Sequence, residues 1–304
     1  MSISVIISTY NGEKYIEEQM ESIRNQSLQP DEVLIFDDCS SDSTVNVVNE
    51  FIKQNGLQQW KISVNDKNKG WRKNFIDGIK LAHGDIIFLA DQDDKWRSDK
   101  IERMKSAINE NEKIQLLVSN YKSFYDDGSV GNIGPRENDK TIVKINNGCK
   151  LTKIEYPGCT YCFRKSFAEE AVKFWREGYA HDALLWQFAY INDGLYCYLD
   201  DLMMWRRHKD STYQKELVHS RQKERKIDGF LFDIDTFTEF LGRLTNKISG
   251  DKTADLEKNI KWLRTRIKFY RTQNAFTGVE MLRYLNCYPR KRQYVLDWMI
   301  AFQK

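Results

Sequence analysis

Residues 86–96 read Ile86-Ile87-Phe88-Leu89-Ala90-Asp91-Gln92-Asp93-Asp94-Lys95-Trp96. Five apolar residues in a row predict a strand buried on both faces, because a half-buried strand would alternate. The run ends in three carboxylates within four residues. Carboxylates this close repel one another unless a cation or another partner neutralises them. A hard divalent ion is one such partner, and Mg²⁺ or Mn²⁺ commonly shares its shell with substrate phosphates. The other reading is an acidic turn with helix-capping acids, a role that Asp99 suits nearby.

Working outward toward the N-terminus, Ile3–Ser8, Glu32–Phe36 and Lys61–Val64 are short β-rich runs. Between them, Glu13–Gln26 carries Tyr15, Ile16, Met20 and Ile23 at helical spacing. A segment that Asp42 can cap carries Val45, Val48, Phe51 and Ile52, and Trp71–Ala82 reads as a third helix. Strands alternating with helices predict an α/β fold whose parallel sheet is covered on both faces, with ligands beyond the carboxyl ends of the strands. Toward the C-terminus, Gln115–Ser119 and Leu195–Leu199 read as strands. Asp126–Gly148, rich in Gly, Asn and Asp, reads as a long loop.

From about residue 217 the pattern is helical to the end. Arg290–Lys304 joins a basic start to Tyr294, Val295, Trp298, Met299 and Phe302. Such a basic amphipathic helix suits either packing onto its neighbours or lying on a membrane surface. The net charge of +3 hides an asymmetry: residues 215–304 hold 19 Lys/Arg against 11 Asp/Glu, whereas residues 1–214 hold 28 against 33. The basic end could meet an acidic surface or present a solvated face.

With 41% hydrophobic and 30% charged residues, the composition is that of a globular chain. Six scattered cysteines predict reduced thiols in a cytosolic protein, and Cys159-x-x-Cys162 lacks the second ligand pair that zinc needs. The first residues are too short and uncharged for a signal peptide, and no stretch approaches the roughly 20 apolar residues of a membrane span. Cytoplasmic location, with peripheral contact at the inner membrane face left open, is the expectation. Nucleic acid is not expected as a partner, since the basic residues carry no recognisable binding motif.

Taken in order, the predicted strands end in Ser8-Thr9-Tyr10-Asn11-Gly12, Asp37-Asp38-Cys39-Ser40-Ser41-Asp42-Ser43-Thr44, Asn68-Lys69-Gly70 and Asp91-Gln92-Asp93. This series resembles the nucleotide-sugar half of the inverting family 2 glycosyltransferases, which have the GT-A fold. The resemblance is close over residues 1–105 and looser to about 212. It implies a mixed, mainly parallel sheet with a C-terminal helical appendage. Residues 1–214 would form the catalytic domain, with 1–110 as its nucleotide-sugar half and 111–214 as its acceptor half, and 215–304 a basic helical region. Thr9 and Asn11 would sit near the nucleotide, and Asp38 near the base with Asp37 able to act in its place. Asn68 and Gly70 would flank the base or diphosphate, with Arg72 or Lys73 available to the phosphates. Asp91 would face the ribose or donor sugar, Gln92 would also belong to the nucleotide-sugar site, and Asp93 would bind Mn²⁺ or Mg²⁺. Each position also has a bland role as a turn or cap residue.

An inverting transfer needs a carboxylate to deprotonate the acceptor hydroxyl. Ala180-His181-Asp182-Ala183-Leu184 resembles the place where the family opens a helix with its base, which makes Asp182 the candidate. The family more often has Glu-Asp there, and the His-Asp form resembles its rhamnosyltransferase-like branch. Trp205-Arg206-Arg207-His208-Lys209-Asp210-Ser211 is a second echo, in which His208 would join the metal shell and Arg206 the departing nucleotide. The family usually has a tyrosine where Trp205 stands. Pro157-Gly158-Cys159-Thr160 resembles a segment lining the sugar pocket, and Trp96, Tyr161 and Trp186 are candidates for stacking on sugar rings.

The resemblance thus implies a dTDP- or UDP-sugar donor and a glycan, lipid-linked or glycoprotein acceptor, with a homodimer left open. The donor sugar would be L-rhamnose, glucose, galactose or an N-acetylhexosamine. Two rivals remain at this point. A sugar nucleotidyltransferase would open with a Gly-rich basic loop rather than Thr9-Tyr10-Asn11-Gly12-Glu13. A non-catalytic sugar- or membrane-surface-binding module would bind no nucleotide through a metal.

Overall fold

The computed structural model describes residues 1–133, 137–208 and 222–302. The chain divides into two units, Met1–Ile145 with Glu155–His208, and Asn146–Ile154 with Lys209–Lys304.

In the first unit, β1 (Ile3–Thr9), β2 (Glu32–Asp37), β3 (Trp60–Val64) and β4 (Ile86–Asp91) alternate with α1 (Ile16–Arg24), α2 (Thr44–Gln54) and α3 (Trp71–Leu81). The strands β5 (Lys95–Trp96), β6 (Leu116–Tyr125), β7 (Val130–Ile133), β8 (Ile142–Lys144), β9 (Tyr161–Arg164) and β10 (Leu195–Arg207) follow. Among them lie α4 (Lys100–Glu110), α5 (Lys165–Ala171) and α6 (His181–Ile191). The sheet order is β3-β2-β1-β4-β9-β6-β10-β5, with β7 on β6 and β8 on β10. The first four strands pair in parallel, as do β6 and β10, while β9 runs antiparallel between β4 and β6. The sheet is therefore mixed.

Ile86 through Ala90 are fully buried, and so are Val5, Ile6 and Ile7 of the neighbouring strand. Helices cover both faces, which is why these strands read as unbroken apolar runs. Ile16, Met20 and Ile23 of α1, and Phe75, Ile76 and Ile79 of α3, line the helix faces turned to the sheet. Asp42 stands one residue before the N-cap Ser43 and accepts the Thr44 N–H at 3.0 Å, so it supports the start of α2 from outside the cap position.

The expected loop over 126–148 contains β7 and β8. Ile142 and Lys144 are exposed, so no apolar alternation marks β8. It exists because it pairs with β10, an edge supplied by residues over fifty positions away, which local pattern does not register. Cys159 and Cys162 are fully buried thiols.

In the second unit, α7 (Lys223–Leu244) and α8 (Gly250–Thr272) bury Phe230, Phe237, Phe240, Leu256, Trp262, Leu263 and Tyr270. Two shorter helices follow, α9 (Ala275–Glu280) and α10 (Arg292–Ala301). The excursion 146–154 belongs to this unit through Cys149, whose carbonyl accepts the Asn259 amide at 2.8 Å and whose sulfur lies 2.8 Å from that of Cys287. No helix among the described residues is long and apolar enough to cross a membrane.

Candidate active site

The carboxyl ends of β1, β2 and β4 converge because the three strands are adjacent and parallel. Thr9 stands opposite Asp37, and Ser8 opposite Asp91. Asn11 takes a left-handed conformation (φ 48°), which turns its side chain onto the Ser41 N–H at 2.9 Å. Asp37 is fully buried and accepts the Ser40 N–H at 2.9 Å. Asp38 accepts the Asn65 amide at 2.9 Å and the Lys69 and Gly70 N–H groups at 2.8 Å each. It thereby draws the 65–70 loop over the end of β2. Gly70 (φ 81°) turns the chain into α3, and Asn68 also accepts its N–H, at 3.0 Å. Just beyond, Arg72 lies over the Trp71 ring, and Lys73 is paired with Asp77 at 2.6 Å.

On the β4 side, Gln92 accepts from Thr9 Oγ1 at 2.7 Å and from the Tyr10 N–H at 2.8 Å. Its amide ties the two strand-end loops together. Asp93 Oδ2 lies 2.7 Å from His208 Nε2, and both side chains keep partial access to solvent. Asp94 is fully buried and accepts the Arg206 N–H at 2.9 Å. Burial and the charges of Asp93 and Asp91 push the Asp94 carboxyl well above its usual range. Asp91 is pushed up to about 7 by burial, then by the charge of Asp93, with Asp182 adding to it. Lys100 lies among them, fully buried, donating to the Cys159 carbonyl at 3.0 Å with its ammonium 4.0 Å from the Trp96 ring centroid. Burial pulls its pKa down to about 8.

Arg206 is a hub within the protein. Its guanidinium donates to the Asp93 carbonyl at 2.7 Å, to Asp126 at 3.1 Å and to Glu18. It also lies over the rings of Tyr15 and Phe124. Asp126, which also accepts from Lys14 and Tyr15, is held down at about 2 by those hydrogen bonds. Arg206, expected from the sequence to meet the departing nucleotide, makes these contacts to protein acceptors.

Asp182 sits in the first turn of α6, where its Oδ1 accepts the Ala183 N–H at 2.7 Å. Its charge reaches Asp91 and Tyr161, raising both. The neighbouring His181 is 3% exposed, its ring tilted against Phe75 at 4.1 Å and edge-on to Trp71, and neither ring nitrogen has a partner among the described residues. Burial, with a smaller push from Arg72, lowers its pKa to about 3, so the ring is neutral. Gly158 is required here: a Cβ on it would lie 2.5 Å from His181 Nε2.

Trp96, Tyr161 and Trp186 are 5%, 0% and 1% exposed. They are core residues rather than sugar platforms: Trp96 packs on Phe88 and Lys100, and Trp186 on Tyr156 and Tyr161. Lys209, Asp210 and Ser211 of the second echo lie outside the described residues. Sequence reasoning assigned nothing to Asp94, Lys100, Glu18 or Asp126. One signal was present for Lys100: it falls with Ile101, Met104, Ala107 and Ile108 on the apolar face of α4.

A mixed sheet with Asp91, Asp93 and Asp94 gathered at the end of β4 is the architecture of the GT-A glycosyltransferases. The chain belongs to glycosyl transferase family 2, whose model matches residues 4–171. The dTDP-rhamnosyl transferase RfbG of Shigella flexneri is 31% identical over 223 residues, covering 67% of this chain and 72% of that protein. The poly(ribitol-phosphate) beta-N-acetylglucosaminyltransferase TarS of Staphylococcus aureus is 31% identical over 120 residues, 39% of this chain and 21% of that protein. The crystal structure of TarS 1–349 in complex with UDP-GlcNAc has the same fold, with a TM-score of 0.69 at 19% identity, over 99% of this chain and 90% of that one.

Proposed function

We propose that this glycosyltransferase moves a sugar from a dTDP- or UDP-sugar to a glycan acceptor, with inversion, and that Asp182 is the base. The observation that carries the reading is the placement of Asp182. It opens α6 close enough to Asp91, at the carboxyl end of β4, for the two charges to interact. An anionic carboxylate there accepts the proton of an acceptor hydroxyl as that oxygen attacks the anomeric carbon. His181, neutral and buried, is the weaker base.

On the donor side, Asp38 and the 65–70 loop would meet the base, Thr9 and Asn11 the nucleoside, and Asp91 the ribose or sugar. Asp93 and His208 fit a divalent ion: a carboxylate oxygen and an imidazole nitrogen already converge, with solvent access, beside excess negative charge. When bound, Mn²⁺ or Mg²⁺ would supply positive charge to the leaving diphosphate. Arg206 and Gln92 would act by holding Asp93 and the β1 loop in place. Similarity to RfbG makes dTDP-rhamnose the first donor to test, and similarity to TarS, whose structure holds UDP-GlcNAc, makes that the second.

The decisive variant is Asp182→Asn. It should lower transfer about 10²- to 10⁴-fold, as loss of a general base does, while calorimetry shows nucleotide binding within about twofold of the unaltered protein. Normal turnover by this variant would overturn the assignment.

A further inference from the structure

The last two helices leave an apolar surface uncovered. Phe276 is 86% exposed, Val279 56%, Val295 59%, Met299 63% and Phe302 52%. Isolated exposed apolar residues are ordinary, but rows of them are not. Val295 and Met299 recur at i and i+4 on one face of α10, and the C-cap residue Phe302, at i+7, continues that row. The opposite face is already in use: Asp297, Ile300 and Ala301 are buried. Phe276 and Val279 form the equivalent row on α9. The helices lie side by side. Tyr294 donates to the Gly278 carbonyl at 3.2 Å, and a Cβ on Gly278 would meet the Trp298 ring at 2.3 Å.

The rows are flanked by Arg290, Lys291 and Arg292 at the start of α10, against one acid on α9, Glu280. We infer that this surface docks the protein onto an anionic lipid membrane. Apolar side chains would enter the headgroup boundary while the basic cluster meets lipid phosphates and its aliphatic stems cover the margin. A second copy of the chain fits less well. A twofold contact through this face would bring the two basic clusters together without an acidic patch to receive them.

The test is co-sedimentation of the full chain with vesicles of phosphatidylcholine alone and of phosphatidylcholine mixed with phosphatidylglycerol. Binding is expected to the mixed vesicles and to weaken as salt is raised. Replacing Arg290, Lys291 and Arg292 together by Gln should weaken it about a hundredfold, at about fivefold per charge. Val295→Ser with Met299→Ser should weaken it about tenfold or more. Donor hydrolysis and circular dichroism should not change in either variant, which separates this inference from the assignment of the catalytic site. Absent binding, or binding that both variants leave intact, overturns the inference. So does a dimer in sedimentation equilibrium that the Met299 variant dissolves, which would give the surface to a second copy.

Discussion

At the scale of single residues, the site is built from side chains whose ordinary chemistry has been displaced by burial. His181 is the plainest case. Its folded pKa of about 3 lies below the unfolded value of 6.5, so the unfolded chain takes up a proton that the folded chain refuses. The sign follows: the stability is fully present above pH 6.5 and is lost as pH falls toward 3. Between pH 6.5 and 5 the loss is about 2 kcal/mol, from about 1.4 kcal/mol per pH unit. Denaturant melts of the unaltered protein and of His181→Gln across this window should differ by that slope. Parallel curves would show that the imidazole is solvated after all. Asp93 and Asp182 stood out in the sequence because they follow an apolar strand or open a helix. The burial of Asp94 and Lys100 did not, because a buried charge is tolerated only where distant residues answer it, and Cys159 and Arg206 lie far along the chain.

At the scale of elements, α10 is locked to α8 by charge as well as by apolar contact. Arg266 makes two hydrogen bonds to Asp297, at 2.8 and 2.6 Å, and Tyr270 and Tyr288 each add one at 2.7 Å. Arg266 and Asp297 are both buried, and the guanidinium also lies over the Phe230 and Trp262 rings. Asp297→Ala would strand a buried cation, at a cost of about 3–5 kcal/mol. Equilibrium denaturation measures it, and a loss below about 1 kcal/mol would mean that water reaches Arg266 in solution. The helices themselves were legible from periodicity, while this lock was not, since Asp297 in isolation reads as a polar residue on a solvated face. The same reasoning covers β7 and β8, which have no pattern of their own and take their form from the strands they join.

At the scale of the whole molecule, the parallel half of the sheet was readable because burial on both faces leaves an unbroken apolar signature. The antiparallel insertion of β9 between β4 and β6 was not, since strand order is a property of the assembled sheet. The distribution of charge has a thermodynamic consequence. With Asp91, Asp93, Asp94 and Asp182 in one region, the ligand-free protein carries repulsion that a nucleotide with its divalent ion would relieve. UDP or dTDP with Mn²⁺ should therefore stabilise the chain, by about 2.7 kcal/mol at roughly a hundredfold excess over Kd. EDTA should reverse most of this in a thermal-shift assay. Equal stabilisation with and without the ion would count against Asp93 and His208 as its ligands.

The single amide of Gln92 has a mechanical meaning. It grips Thr9 and Tyr10 from the loop that leads to Asp93, and a Cβ on Gly12 would strike its oxygen at 2.3 Å. The loop after β1 and the turn after β4, which the proposed function makes the nucleoside cradle and the cation-bearing turn, are thereby two jaws on one rivet. Neither can open alone, so a substitution at Gln92 should loosen both loops together rather than one of them.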